Sequence, residues 1–296
     1  MRTPPADGMS ANRILGLKVD VDTRRGMEEG VPVLLSLLDR FKCRAAFFLS
    51  FGPDNSGKAV YRMVRNPRFL FKMVRTNAPG LYGIRTALYG TLLKAPMIAS
   101  AFPGLCREIE ARGHEVEFHA WDHRAWQDAL PRKGSGWIHE WLSRGTAAYA
   151  ACLGHGPRAF GAPAWLLTGA AVAEVAKHPW EYLSCTRAAA PFVLAGTGLP
   201  EIPSDLPCLE ETGGRKGVAR ILEALAPAGT HILPVHAEVE GGILRDAFVE
   251  ILRGAAERGY RIAPLSEIAA GARGRALPTR AFATALLPGR AFPCAV

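Results

Sequence analysis

Short apolar runs alternate with stretches of helical periodicity along most of this chain. Residues 14–20 form a first run that ends in acids. Residues 26–41 place Val31, Leu34, Leu35 and Leu38 at helical spacing, and residues 45–51 form a second apolar run. The pattern predicts further strands at 114–118, 157–162, 182–184, 201–202, 231–234 and 260–262, with helices over 103–112, 137–153, 168–178, 216–226 and 246–258. Alternation of this kind predicts an α/β fold with a parallel sheet and crossover helices, closed or nearly closed. Two regions break it. Residues 54–102 are too long and too rich in basic and aromatic side chains for an ordinary connection, and are read as an inserted subdomain within a barrel domain spanning 13–268. Residues 1–12 are polar and read as flexible, and 269–296, with Pro278, Pro288 and Pro293 and no periodicity, read as a mobile or loosely docked tail.

Composition narrows the class. At 296 residues with 49% apolar side chains, the chain can bury the core of a single α/β barrel. Its six cysteines are scattered with no CxxC pair, which predicts reduced thiols in a cytosolic setting. The N-terminus lacks the apolar stretch of a secretory signal. The longest apolar candidate for a membrane span, 87–105, is broken by Lys94, Pro96 and Pro103. The net charge of +9 is concentrated: between Asp54 and Glu108 there is no acid, against nine lysines and arginines.

Two motifs carry chemistry. His119-Ala120-Trp121-Asp122-His123 places two imidazoles four residues apart, and Val19-Asp20-Val21-Asp22-Thr23 ends an apolar run in two carboxylates. Either motif alone is common as a chance pair or a turn. Together, at the ends of two strands, they offer three N/O ligands with a position left open for water, the pattern of a hydrolytic centre rather than a closed structural one. Asp22, His119 and His123 are the candidate ligands, and Asp20 is placed to handle protons. Gly52 to Ala59 imitates a phosphate-binding loop, but Ala59 stands where a Mg²⁺-binding hydroxyl is needed and Pro53 removes a backbone donor, so nucleotide hydrolysis is set aside.

These motifs, with Val235-His236-Ala237-Glu238-Val239-Glu240-Gly241, resemble the polysaccharide deacetylase (NodB-homology) superfamily. Arg25-Gly26 through Pro32, Gly52-Pro53-Asp54-Asn55, Leu81-Tyr82-Gly83 and Trp126-Gln127 narrow the likeness to deformylases of undecaprenyl-phosphate 4-deoxy-4-formamido-L-arabinose, over residues 14 to 268. The resemblance implies a distorted, seven-stranded (β/α) barrel and a divalent metal on Asp22, His119 and His123. It also implies Asp20 as general base and His236 as general acid. Zinc, cobalt, manganese and iron all suit such a ligand set. Trp121, Arg187 and Glu238 are candidate substrate contacts. The same likeness implies a peripheral enzyme on the cytoplasmic side of the bacterial inner membrane, acting in lipid A modification and cationic peptide resistance.

Two departures stand out. The superfamily's third motif carries an arginine that orients the catalytic aspartate, and Gly161 to Leu166 has none. An aspartate that supports the acid histidine is replaced in Ser184-Cys185-Thr186-Arg187, so His236 is expected to titrate lower, with Arg187 in an anchoring or phosphate-binding role or exposed and paired to nothing. In the insert, aromatic and leucine side chains interleave with Arg62, Arg65, Arg68, Lys72 and Arg75, a composition suited to an anionic bilayer and lacking any nucleic-acid module. The competing readings are an N-deacetylase of another lipid-linked amino sugar and a catalytically silent lipid-binding homologue.

Overall fold

The computed structural model describes residues 13–59, 84–226 and 228–296. Its centre is β1 (Ile14–Val21), which pairs in parallel with β2 (Ala46–Ser50) on one edge and, on the other, with β8 (Thr230–His236) and β9 (Arg261–Ala263). The sheet continues from β2 through β3 (Glu115–Ala120), β4 (Ala159–Phe160), β5 (Tyr182–Leu183) and β7 (Leu199–Glu201), all parallel. Seven parallel strands therefore follow the order β7-β5-β4-β3-β2-β1-β8. β6 (Phe192–Leu194) runs antiparallel to β7 and is joined by β10 (Thr279–Arg280). The sheet is curled rather than closed. At the seam between β7 and β8, Leu206 N donates to Ile232 O, and the Asp205 carboxylate takes Ile232 N at 2.6 Å and faces His231 Nδ1 at 2.6 Å.

The helices are α1 (Val31–Arg40), α2 (Ile84–Leu88), α3 (Pro103–Ala111), α4 (His123–Ala129), α5 (Ser135–Leu153), α6 (Gly169–Val175), α7 (Val218–Ala224), α8 (Arg245–Glu257) and α9 (Leu265–Arg273). Pro32 and Pro103 sit in the first turns of α1 and α3, where a missing N–H costs nothing. α1 buries Val31, Leu34, Leu35, Leu37 and Leu38 against the outer face of the sheet, in the large outer core that also holds Leu17, Val19 and Phe118. The barrel interior is separate. Ala46, Phe48, Ala159, Tyr182, Ile202 and Ile232 fill its lower half, and α9 plugs that end with Leu265, Ile268 and Ala269. Glu115 receives Ser266 N in the first turn of α9, which ties the plug to β3.

Of the two expectations for the tail, mobile or loosely docked, the described contacts are those of docking. Beyond α9, β11 (Thr284–Ala285) pairs with β12 (Cys294–Ala295), and Cys294 is buried with Trp165 and Cys208. Arg187 N donates to Ala295 O, and Arg290 donates to Ala164 O and Glu211. Prolines remove periodicity without preventing docking, which here rests on these specific contacts. The expected boundary at 268 falls inside α9. Residues 60–83, which hold Arg62, Arg65, Arg68, Lys72 and Arg75, lie outside the described residues. Among the described residues no helix is long and apolar enough to cross a membrane.

Candidate active site and metal centre

The carboxyl ends of β1, β3 and β8 converge. β1 delivers Asp20 and, one residue past its end, Asp22. In register, Asp20 lies beside Phe48 of β2 and beside His236 of β8, so the two candidate proton carriers occupy neighbouring strands. His119 comes from β3, and His123 opens α4. The N-cap of α4 is Asp122, whose carboxylate accepts from Ala125 N at 2.8 Å and from Asn55 Nδ2 at 2.7 Å. That cap fixes where the first helical residue, His123, points.

His119 Nε2 stands 3.1 Å from Asp22 Oδ1, and His123 Nε2 stands 3.2 Å from Asp22 Oδ2. The tautomer of His119 follows from its other nitrogen: Nδ1 lies 2.7 Å from Gly161 O, which can only accept, so Nδ1 carries the proton. Nε2 then presents a lone pair to a carboxylate oxygen, and both atoms are buried without a hydrogen-bond partner. Two buried acceptors facing each other fit a cation held between them. Burial pushes His123 down to about 4, outweighing the raising effect of Asp22, so the ring is neutral as a ligand must be. Burial works against ionisation of Asp22, but His123 and His119 in their protonated forms, then His236, hold it well below the usual carboxylate range.

His236 is not left without a carboxylate. Glu210, from the short 3₁₀ turn Leu209–Thr212, places Oε1 3.1 Å from His236 Nδ1. Burial alone would lower this imidazole. Glu210, with a contribution from Cys208, instead raises it well above its ordinary value. The lowered titration expected from the Ser184–Arg187 sequence is thus corrected: the supporting acid comes from a different loop. Glu240 accepts from His236 N at 2.7 Å and is pushed up to about 8 by burial and by Glu210. Among the described residues Glu210, His236 and Glu240 are a second group with donor atoms close enough for a metal. Of the two acids, Glu210 faces the imidazole and Glu240 holds the His236 backbone N–H.

The three candidate substrate contacts separate. Glu238 is buried beside Thr23 and Gly26, where a Cβ on Gly26 would strike its carboxyl group. Burial, then Asp22, raises Glu238 well above the usual carboxylate range. Trp121 instead packs outward against Gly52 and Gly145 of α5, with the Arg144 guanidinium 5.6 Å from its ring. Arg187 is buried and spends its donors on Ser204 O, Leu206 O and Glu211. It pins two loops together, the anchoring alternative of the two roles expected of it. Sequence reasoning missed Lys18, Glu210 and Glu240. For Lys18 the signal was present, as a lone cation inside an otherwise apolar strand.

Residues 13–183 match the polysaccharide deacetylase family model. A relative from Shewanella sediminis, named a probable 4-deoxy-4-formamido-L-arabinose-phosphoundecaprenol deformylase, is 32% identical over 86% of this chain and 85% of its own. A protein of the same name from Wigglesworthia glossinidia brevipalpis is 28% identical over 82% of this chain and 88% of its own. A solved structure of a presumed polysaccharide deacetylase from Mycobacterium smegmatis superposes with a TM-score of 0.65 at 18% identity, covering 97% of this chain and 99% of that one, which speaks to the fold alone. The extent of the family match and the identity to the Shewanella relative place this chain in the polysaccharide deacetylase family, as a hydrolase of amide bonds.

Proposed function

We propose that the protein is a metal-dependent deformylase that hydrolyses the N-formyl group of undecaprenyl-phosphate 4-deoxy-4-formamido-L-arabinose. The observation that carries this reading is the convergence of Asp22, His119 and His123 beside Asp20 and His236, in a chain whose relatives bear that name. A divalent ion on Asp22, His119 and His123 would polarise the formyl carbonyl and acidify a water. Asp20 takes a proton from the attacking water as its oxygen adds to the formyl carbon. His236, kept protonated by Glu210, gives a proton to the sugar nitrogen as the C–N bond breaks, leaving formate and a free amine. Glu238, beside Asp22, is assigned to substrate binding through its carboxyl group. Zinc, cobalt, manganese and iron all satisfy this donor set.

The enzyme works at a membrane surface. Arg62, Arg65, Arg68, Lys72 and Arg75 supply cations for an anionic leaflet, at about 1 kcal/mol each when engaged. Leu92 and Leu93, at the described border of the same insert, are exposed and suit apolar contact with lipid.

Incubation of metal-loaded protein with the formamido-arabinose phospholipid and, separately, with its acetamido analogue, followed by mass spectrometry, tests the reading. Loss of formyl only is expected. Loss of acetyl would make the protein a deacetylase of another lipid-linked amino sugar, and no reaction on either would make it a lipid-binding homologue.

A further inference from the structure

Lys18 lies in the middle of β1 with its side chain fully buried, and Asp20, two residues on, shares the same face of the strand. Its ammonium contacts both carboxylate oxygens of Asp20, one at 2.5 Å. An isolated lysine would not be buried without such a partner. Around the pair the walls are apolar: the Phe48 ring centre lies 4.8 Å from Nζ and the Trp165 ring centre 5.6 Å away. Gly161, which has no side chain, leaves room for the lysine stem, since a Cβ there would stand 3.2 Å from Lys18 Cε.

Trp165 reaches this position by an unusual route. Ala164 and Trp165 both adopt left-handed backbone, with φ of 54° and 53°, although neither is glycine. The turn is held from outside. Arg290 donates to Ala164 O at 2.9 Å, and the guanidinium groups of Arg187 and Arg290 lie 4.8 and 4.9 Å from the indole ring centre. This segment is the third motif that lacks an arginine. The loop therefore contributes an aromatic wall, and the charge comes from the strand that carries the aspartate itself.

We infer that Lys18 is the positioning residue for Asp20, supplying from within β1 the cation that orients the base while the Ala164–Trp165 turn walls it in. The inference rests on Asp20 being the base. Pairing through both oxygens fixes the plane of the carboxylate, so that its outward lone pairs face the reacting water.

The test uses the full-length, metal-loaded protein and a short-chain alkyl phosphodiester of 4-deoxy-4-formamido-L-arabinose, comparing Lys18→Met, Lys18→Arg, Asp20→Asn and Lys18→Met with Asp20→Asn. Lys18→Met is expected to lower kcat about a hundredfold while KM and metal content by elemental analysis change less than threefold, because the lysine touches neither substrate nor ligands. Lys18→Arg, which keeps the charge and the two-point pairing, is expected to retain kcat within about tenfold. The double variant is expected to be no slower than Asp20→Asn alone, as for two residues acting as one unit. Unchanged kcat in Lys18→Met, or losses that multiply in the double variant, would overturn the inference. So would a folded, metal-replete Lys18→Arg protein as slow as Asp20→Asn, a comparison that stands even if Lys18→Met does not fold. Full turnover in Asp20→Asn would separately remove the assignment of the base.

Discussion

His236 shows how one neighbour sets the chemistry of a side chain. Its burial opposes protonation, and the Glu210 carboxylate 3.1 Å from Nδ1 reverses that preference. In the proposed mechanism His236 must hold its proton to act, so the alkaline limb of the pH dependence of kcat/KM reports its release. Replacing Glu210 by glutamine removes the countercharge, lowers the His236 pKa and should shift that limb to lower pH; pH–rate profiles of both proteins check it, and an unmoved limb would detach it from His236. His119→Ala or His123→Ala should abolish stoichiometric metal by elemental analysis while leaving the fold largely intact, because an open three-ligand site is not a structural one. Asp22, His119 and His123 were legible because they sit in compact motifs at strand ends. Glu210 was not, since it lies in a turn without periodicity and meets His236 only through tertiary packing.

At the level of elements, the link between β1 and α1 is a π-helical turn, Gly26–Gly30, pressed against the segment that follows β8. A Cβ on Gly30 would collide with Ala237 O, and one on Gly241 would stand 2.5 Å from Gly30 O. Backbone meets backbone here, so neither side can rotate away. Gly30→Ala should cost about 1–3 kcal/mol, the range for overpacking a tight contact, and lower Tm by several degrees in a thermal melt. The loops bearing Asp22 and His236 share this contact, so turnover should fall with it. Long, strongly apolar strands such as β1, β2 and β8 were readable from periodicity. β6 was missed because three residues on the flank of a sheet carry too little pattern, and α4 because its sequence had been read as a motif rather than a helix. α9 was missed because Ala269 and Ala272, which face the core, are weak apolar signals beside Gly271, and the boundary drawn at 268 falls inside it.

For the whole molecule, charge and fold are separable. The basic excess lies in the insert, while the candidate site lies at the ends of the barrel strands. Replacing Arg62, Arg65, Arg68, Lys72 and Arg75 with glutamine should release the protein from anionic liposomes and raise KM for the long-chain lipid, with little change on a water-soluble analogue; high salt should mimic part of the release. Equal losses on both substrates would show that the insert shapes the pocket. The central place of β1 also imposes an order in time. Among the described strands it precedes β2 and β3 in synthesis, and all three precede β8, so Asp22, His119 and His123 are made before His236. The opposite edge of β1 must wait for β8 and β9, and His236 arrives with β8. A growing chain thus holds the three candidate ligands, beside an exposed strand edge, well before it holds the proposed proton donor. Under the proposed assignment, binding becomes possible during synthesis before hydrolysis does.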